Sequence, residues 1–188
     1  ETIDAHPVLC DQVHLPVQSG STRVLARMRR EYTREEYLAR IEWLRAARRP
    51  ISLSTDIIVG FPGETEADFL ETVSLLDEVG YDSVFSFKYS PRPNTAALTL
   101  DGVVPEEEAG RRLTYLQERQ RAIQLRRNSA FVGSNQEVLV EGFNHATGQW
   151  IGRTSQNRVL NFTAPGGAGV SPGAYRSVRV TRAGPNSL

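Results

Sequence analysis

Cysteine is almost absent from this sequence, since Cys10 is the only one among 188 residues. A single thiol cannot close an intrachain disulfide, which excludes the disulfide-stapled scaffolds of small secreted proteins. The sequence also has no signal-peptide pattern and no apolar run long enough to cross a bilayer. We therefore expect a cytoplasmic protein without a membrane partner.

Net charge is also absent, because 22 basic residues balance 22 acidic ones. A nucleic-acid site must then arise from local asymmetry rather than from overall charge. Residues 129–188 carry five arginines against two glutamates, a surplus of three, and residues 1–128 carry the matching deficit. The second part of the chain is therefore mildly basic and the first part mildly acidic.

The most informative motif packs a strand, a tight turn and a helix start into residues 54–65. The apolar run 57–59 is typical of a strand covered on both faces. Gly60 and Gly63 turn the chain sharply, and Thr65 begins a helix with a capping-box pattern. Such a junction is suited to hold an anion or a nucleotide, but many ordinary βα turns carry glycine for geometry alone, and both interpretations stay open.

Asp56 adds weight to the functional interpretation of this motif. The residue lies within the strand itself, where a charge is costly to bury unless it has a partner or a task. A structural carboxylate satisfied by an arginine is the alternative.

Three strand-loop-helix patterns fill residues 1–128, and short alternating strands fill residues 129–188. The first part predicts parallel strands whose loops gather at one rim of the sheet. The second part predicts a small antiparallel barrel, so the fold class is α/β followed by all-β. The predicted strands are 13–17, 54–59, 83–89, 136–141, 149–154, 159–162 and 175–181, with breaks at Gly142, Gly148 and the loop 166–169. The predicted helices carry Val24 to Met28, start at Thr33 and Thr65, and run from Pro105 to about Arg127.

Three strands make a poor parallel sheet, because both of its edges stay open. The sequence also begins at Glu1 rather than at methionine. We therefore expect a fragment whose preceding strands are missing, and a dimer formed by edge pairing or an unstable monomer.

Several strings of residues resemble consecutive motifs of the radical S-adenosylmethionine (SAM) methylthiotransferases. They are His14-Leu-Pro-Val-Gln-Ser-Gly-Ser21, Arg27-Met-Arg-Arg30, residues 54–65 and Phe85-Ser-Phe-Lys-Tyr-Ser-Pro-Arg-Pro93. Residues 129–188 are similar to the TRAM domain, a small RNA-binding β-barrel, through Glu137-Val-Leu-Val-Glu-Gly142 and Gly152-Arg-Thr-Ser-Gln-Asn-Arg-Val159.

Within these strings, Val17-Gln-Ser19 and Phe87-Lys-Tyr-Ser-Pro-Arg-Pro93 resemble the tRNA branch of the family. That branch adds a methylthio group to isopentenyladenosine beside the anticodon. The branch that modifies a ribosomal protein is the nearest rival. An RNA-binding module without catalysis is the third hypothesis.

The resemblance implies a partial (β/α) barrel of six βα units, of which residues 1–128 supply the last three. An OB-like TRAM barrel follows at residues 129–188. SAM is expected to bind across the carboxyl ends of the strands. The implied cofactor-binding residues are Gln18, Ser19, Arg29, Asp56, Ile58, Gly60 and Tyr89.

The resemblance places Gln18 and Ser19 beside the ribose and the methionine part of SAM. Arg29 is suited to a bidentate pair with the SAM carboxylate, and Ile58 to the face of adenine. The alternatives are a helix cap for Ser19 and a solvated side chain for Arg29.

The resemblance also implies contacts with tRNA. Phe143 and Trp150 could stack on bases, although small barrels need such residues in their core. The implied RNA-binding residues are Arg92, which lies on a stiff double-proline turn, and Arg153, Asn157 and Arg158.

The family holds its SAM-cleaving 4Fe-4S cluster with a CxxxCxxC triad and an auxiliary 4Fe-4S cluster with three further cysteines. Cys10 alone supplies neither set, and His6, His14 and His145 lack metal-ligand spacing. We expect His14 to be a core or packing histidine. We therefore expect this chain to hold no metal and no catalytic residue, and to be inactive by itself. The resemblance implies that the parent enzyme requires both clusters, the tRNA anticodon stem-loop, a sulfur donor and an electron donor.

Overall fold

The structure is a computed structural model that describes residues 2–164 and 169–188. The chain divides into two compact units. The α/β unit consists of residues Val13–Ala47 and Leu53–Ile123, and the β unit of residues 2–12, Arg48–Ser52 and Gln124–Leu188. The boundary after residue 128 that the sequence indicates is a different division and stays a prediction.

The order of elements follows the predicted pattern, with two short additions that the sequence analysis did not predict. These are the four-residue helix α1 and a 3₁₀ turn at Ala96–Thr99. None of the helices in the described part of the chain combines the length and apolarity needed to cross a membrane. The helices are α1 (Thr2–Ala5), α2 (Thr22–Arg27), α3 (Arg34–Arg45), α4 (Glu66–Val79) and α5 (Glu106–Ser129). The strands are β1 (Gln12–His14), β2 (Ser52–Val59), β3 (Ser83–Lys88), β4 (Asn135–Asn144), β5 (Gln149–Arg153), β6 (Val159–Phe162) and β7 (Tyr175–Arg179).

The first sheet has the strand order β1-β2-β3. Strands β2 and β3 are parallel, with Asp56 opposite Phe85 and Ile58 opposite Phe87. A parallel bridge between Gln18 and Ile57 continues the pairing beyond β1. The mixed α/β architecture with a parallel sheet is confirmed.

The two faces of β2 differ in exposure. Thr55, Ile57 and Val59 are buried, whereas the alternate residues Asp56 and Ile58 are only half-buried. Side chains alternate between the faces of a strand, so the described residues cover one face of β2 and leave the other open at Asp56 and Ile58, although Ser54 on that face is buried. The expectation that this strand is covered on both faces is wrong.

Both predicted capping boxes are present. Thr65 accepts a hydrogen bond from the backbone N–H of Asp68, whose side chain accepts one from the N–H of Thr65, and Thr33 and Glu36 form the same pair at the start of α3. Helix α4 ends at Gly80, whose φ of 60° is the left-handed conformation that glycine adopts without strain. Local sequence therefore determines where these two helices begin and where α4 ends.

The second sheet is antiparallel, with the strand order β6-β5-β4-β7. Strand β4 continues through Gly142, which pairs with Ile151 of β5, and the bulge in this pairing leaves Glu141 as its extra residue. The predicted break at Gly142 is therefore wrong. Gly148, with φ 67°, does turn the chain between β4 and β5. Residues 166–168 of the predicted loop lie outside the described residues.

One face of this second sheet forms the hydrophobic core of the β unit. Within the described residues no pairing joins β6 to β7, so closure into a complete barrel stays a prediction. The buried core residues are Val138, Val140, Leu160, Phe162, Val180 and Leu188.

The close approach of β5 to β4 predicts the effect of Gly152→Ala. A Cβ at Gly152 would lie 2.4 Å from the Leu139 carbonyl oxygen and 2.4 Å from Val138 Cγ1, so the strands would have to separate. We expect the substitution to lower the free energy of unfolding by about 3 kcal/mol, the upper end for overpacking, in urea denaturation followed by circular dichroism.

Gly142→Ala is the matched control, since a Cβ there meets nothing within 4 Å. We expect it to change the free energy of unfolding by less than about 0.5 kcal/mol. Equal effects of the two substitutions would contradict the packing described for β4 and β5.

Candidate functional site

The open face of the first sheet carries a carboxylate among apolar side chains. Asp56 and Ile58 on β2 lie beside Phe85 and Phe87 on β3, and the two phenylalanines are 53% and 55% exposed. His14 on β1 joins them, with its ring edge-on to Phe85 at a centroid distance of 6.0 Å. A mostly apolar surface with a few polar groups is the usual composition of a small-molecule site.

His14 connects the polar groups of this face. Its Nε2 lies 3.5 Å from an Asp56 carboxylate oxygen, and its Nδ1 lies 3.0 Å from the Ser54 hydroxyl. The His14 side chain is 40% exposed and packs against Phe85, so of the two roles expected for it, core or packing, it has the packing role. The partner of Asp56 is thus this histidine, rather than the arginine of the structural alternative.

Gln18 lies beyond the end of β1, in an isolated parallel bridge with Ile57 next to this face. Its backbone N–H donates to the Asp56 carbonyl at 2.9 Å, and its carbonyl accepts from Ile58 N–H at 2.9 Å. These bonds hold the residue at φ 70°, a left-handed conformation that is uncommon for a residue with a side chain. Gln18 is therefore fixed against the two residues of β2 that face outward.

Ser19 is fully buried and bonded within the unit. Its hydroxyl lies 3.3 Å from the Thr72 hydroxyl and accepts from the Ser21 backbone N–H at 3.2 Å. Next to it, Gly20 packs so closely on α4 that a Cβ would lie 2.5 Å from the Thr72 Cα. These contacts favour a structural role for Ser19.

The turn after β2 already holds an anion, and the anion is a side chain of the chain itself. The Glu64 carboxylate accepts from Gly60 N–H at 2.9 Å and pairs with Arg112 of α5 at 2.7 Å, and both side chains of that pair are buried. Gly60 has φ 73°, and a Cβ there would lie 2.8 Å from the Ala109 Cβ. The glycine thus serves the conformation and packing of the turn, which is the geometric alternative left open by the sequence.

The start of α4 is likewise bonded to a carboxylate of the chain itself, that of Asp68. Besides its capping bonds to Thr65, Asp68 accepts from the Ser21 hydroxyl at 2.7 Å and from Arg23 Nε at 3.1 Å. Burial alone raises the pKa of Asp68, but the hydrogen bonds from Arg23, Thr65 and Ser21 outweigh it and hold the pKa well below its ordinary value.

Arg29 follows α2 in a Schellman motif. Its N–H donates to the Ala26 carbonyl and the N–H of Arg30 donates to the Leu25 carbonyl, which places Arg29, with φ 56°, where glycine is usual. The exposed Arg29 guanidinium forms no ion pair within residues 2–164 and 169–188. Arg27, in contrast, is tied to the Pro62 carbonyl and to Asp101.

Tyr89 directly follows β3, at the carboxyl edge of the sheet. Its N–H donates to the Val59 carbonyl at 2.8 Å, and its ring packs edge-on to Phe61. The Tyr89 hydroxyl is buried without a hydrogen-bond partner among the described residues. Arg92 lies on the following exposed turn, where Asn94 adopts the left-handed conformation, φ 62°, which asparagine tolerates better than most residues.

The predicted RNA-binding residues of the β unit lie near the turn between β5 and β6. Arg153 pairs with Glu141 at 3.0 Å and donates to Asn157 Oδ1 at 3.0 Å. Arg158 lies over the Phe131 ring at 4.6 Å and donates to Asn128 Oδ1. Arg158 therefore contributes to the packing of the β unit, whereas Arg153 is held only by exposed groups.

Three residues of the open face, namely His14, Phe85 and Phe87, were not predicted as site residues from the sequence. The signal was the alternation in β3, where Phe85 and Phe87 are separated by Ser86 and therefore share one face. Among the described residues no group of three or more His, Cys, Asp or Glu side chains is placed to hold a metal ion, and Cys10 is exposed.

Two family models match separate parts of the chain. The model described as the Radical SAM superfamily matches residues 2–76, and the model described as the TRAM domain matches residues 129–188.

Relatives named tRNA-2-methylthio-N(6)-dimethylallyladenosine synthase are similar to both units. The protein from Solibacter usitatus is 64% identical over 100% of this chain, and that from Koribacter versatilis is 59% identical over 100%. The protein from Geobacter metallireducens is 50% identical over 97% of this chain. The chain spans 42%, 43% and 41% of the lengths of these three relatives.

The bonds of Asp68 predict an acid-sensitive contribution to stability. Because its pKa is lowered by folding, the contribution is complete above the ordinary pKa of 3.8 and is lost as the pH falls below that value. We expect Asp68→Asn to lower the free energy of unfolding by about 2 kcal/mol at pH 7 and to flatten its decrease between pH 5 and pH 2, measured by urea denaturation.

Asp77→Asn on the same helix is the control, since Asp77 forms a surface pair with Arg119. We expect its effect to stay below about 0.5 kcal/mol. A variant of Asp68 that keeps the acid sensitivity of the unsubstituted chain would refute the role given to this carboxylate.

Proposed function

We propose that this chain forms part of a tRNA methylthiotransferase of the radical SAM methylthiotransferase family, with the α/β unit facing SAM and the β unit binding tRNA. The observation that carries the proposal is the identity of 64% to a tRNA-2-methylthio-N(6)-dimethylallyladenosine synthase over the whole chain. The identity extends over both units, so it supports the two roles together.

The residues of the open face fit SAM in their chemistry. Ile58, Phe85 and Phe87 present apolar surface suited to the adenine ring, and the half-buried Asp56 presents a carboxylate suited to ribose hydroxyls or to the amino group. The buried Tyr89 hydroxyl, which has no partner among the described residues, is a further polar group that a ligand would satisfy.

Within this proposal each residue has a limited task. Gln18, fixed by its backbone to Asp56 and Ile58, presents its amide to the ribose and methionine part of SAM. Arg29 supplies the guanidinium for the SAM carboxylate. The role given to Gly60 beside adenine is not retained, because Ala109 fills the space at its Cα and Glu64 binds its N–H. When bound, SAM supplies the adenosyl and methyl groups that the chemistry of the family uses.

The residues present do not fit an iron-sulfur cluster. Cys10 is the only cysteine, and a 4Fe-4S cluster is held by several thiolates. We therefore assign the cluster ligands of the parent enzyme to sequence outside this chain and expect the chain alone to be inactive. The parent then depends on partners that donate sulfur and electrons.

The proposed substrate is the isopentenyladenosine beside the anticodon of tRNA. In the β unit we propose contacts from Arg153 and Asn157, since the surface pair of Arg153 with Glu141 is weak enough to exchange for a phosphate. Arg92 on its exposed turn contributes a further cation. Arg158 is the weakest candidate, because its guanidinium packs on Phe131.

Deletion of the gene tests the proposed function. We expect mass analysis of tRNA nucleosides to show the loss of methylthio-adenosines and their return when the full-length gene is supplied. We expect the full-length gene carrying Arg29→Gly to fail, because the proposed partner of the SAM carboxylate is gone.

Stability measurements separate this loss from misfolding. Glycine relieves the left-handed strain at position 29, which stabilises the fold, but glycine also has a larger conformational entropy in the unfolded chain, which opposes that gain. We expect the net effect of Arg29→Gly to be a rise of about 0.5–1 kcal/mol in the free energy of unfolding. Arg30→Ala, at the exposed neighbouring arginine, is expected to restore the nucleosides. Methylthio-adenosines that persist in the deletion strain would contradict the tRNA assignment in favour of the ribosomal-protein branch.

A further inference from the structure

The β unit has a groove where its sheet is open. Strands β6 and β7 are the two ends of the sheet, and within the described residues no pairing joins them. A cavity of about 880 Å³ lies along these strands and the residues that follow them. Leu160, Phe162 and Val180 belong both to its lining and to the hydrophobic core, so the groove has an apolar floor.

The charge of this groove has one sign. Arg176, Arg179 and Arg182 line it, and no aspartate or glutamate side chain does. Residues 169–188 contain no acidic residue at all. A concave surface with cations of one sign and low-dielectric walls concentrates a positive potential, which attracts polyanions.

The arginines of the groove differ from those near the β5–β6 turn. Arg153 is neutralised by Glu141 and Arg158 is packed on Phe131, whereas Arg179 and Arg182 form no ion pair with a carboxylate within the described residues. The surplus of positive charge in the second part of the chain is therefore concentrated at the groove.

The arginines border the groove from both faces of its β7 side. Arg176 lies opposite the core residue Val138 and Arg179 opposite Asn135, and residues three apart in a strand lie on opposite faces, while Arg182 follows the strand. Asn161 and Thr163 on the β6 side of the groove add neutral polar groups that can bond to sugar hydroxyls or base edges.

We propose that this groove binds the sugar-phosphate backbone of a single RNA strand. The inference deepens the proposed function, since it depends on tRNA binding by the β unit, and it moves the main electrostatic contact from Arg153 and Arg158 to Arg179 and Arg182. A second explanation of these arginines is protection of the β7 edge against pairing with another chain.

Binding of a fluorescein-labelled anticodon stem-loop RNA to the full chain tests the groove, measured by fluorescence anisotropy over a range of salt concentrations. We expect the double variant Arg179→Ala/Arg182→Ala to weaken binding about tenfold or more. Each lost phosphate contact lowers the slope of log K against log salt by about 0.7 for a single strand, so the slope should fall by about 1.4.

Two double variants serve as controls. Arg121→Ala/Arg126→Ala removes the same charge from exposed positions of α5 and is expected to weaken binding less than about twofold. Arg153→Ala/Asn157→Ala tests the turn between β5 and β6 and is expected to have a smaller effect than the groove variant. Thermal unfolding of each variant checks that the fold is intact.

The outcomes separate this inference from the proposed function. If the unsubstituted chain does not bind the RNA, the tRNA-binding proposal fails and the groove proposal fails with it. If that chain binds but the groove variant behaves like the α5 control, or loses less than the Arg153 variant, the groove proposal alone is overturned. Unchanged RNA binding with dimers or aggregates of the groove variant in size-exclusion chromatography assigns the arginines to edge protection instead.

Discussion

The α/β unit depends on two buried carboxylates, Glu64 and Asp68, that satisfy the loop after β2 from within. Glu64 accepts the N–H of Gly60 and pairs with Arg112, while Asp68 caps α4 and pairs with Arg23. Because these internal anions take the donors of the turn and of the helix start, the loop is closed to an external phosphate. Its function is to hold the end of β2 in place.

The consequence is that the backbone at the end of β2 is fixed, whereas the side chains on the outer face of the sheet stay exposed. The backbone of Gln18 is bonded to β2 at Asp56 and Ile58, so the residues that face outward are held from both sides. The open face then presents Asp56 and His14 next to Phe85 and Phe87. A carboxylate, an imidazole and apolar rings in fixed positions are a suitable surface for a nucleoside-containing cofactor, which is the role proposed for the unit.

Local features were predictable and long-range ones were not. The capping boxes at Thr33 and Thr65 and the bounds of β6 follow from neighbouring residues, and the structure confirms them. The contact between Glu64 and Arg112 joins residues 48 apart, and no local pattern indicates it. The exposure of His14 also escaped prediction, because burial depends on which elements cover a face of the sheet. In the β unit the sequence indicated a basic region, but only the fold distinguishes paired arginines from those of the groove.

Hydrogen-deuterium exchange of the chain with and without the anticodon stem-loop RNA is the decisive experiment for the roles of the β2 loop and the groove, since it reports on both units at once. The account predicts slower exchange in β6, in β7 and in residues 180–182, and unchanged exchange in residues 54–65, where the N–H groups of Gly60 and Thr65 are already bonded to Glu64 and Asp68. Slower exchange in residues 54–65, without any change in the β unit, would contradict it.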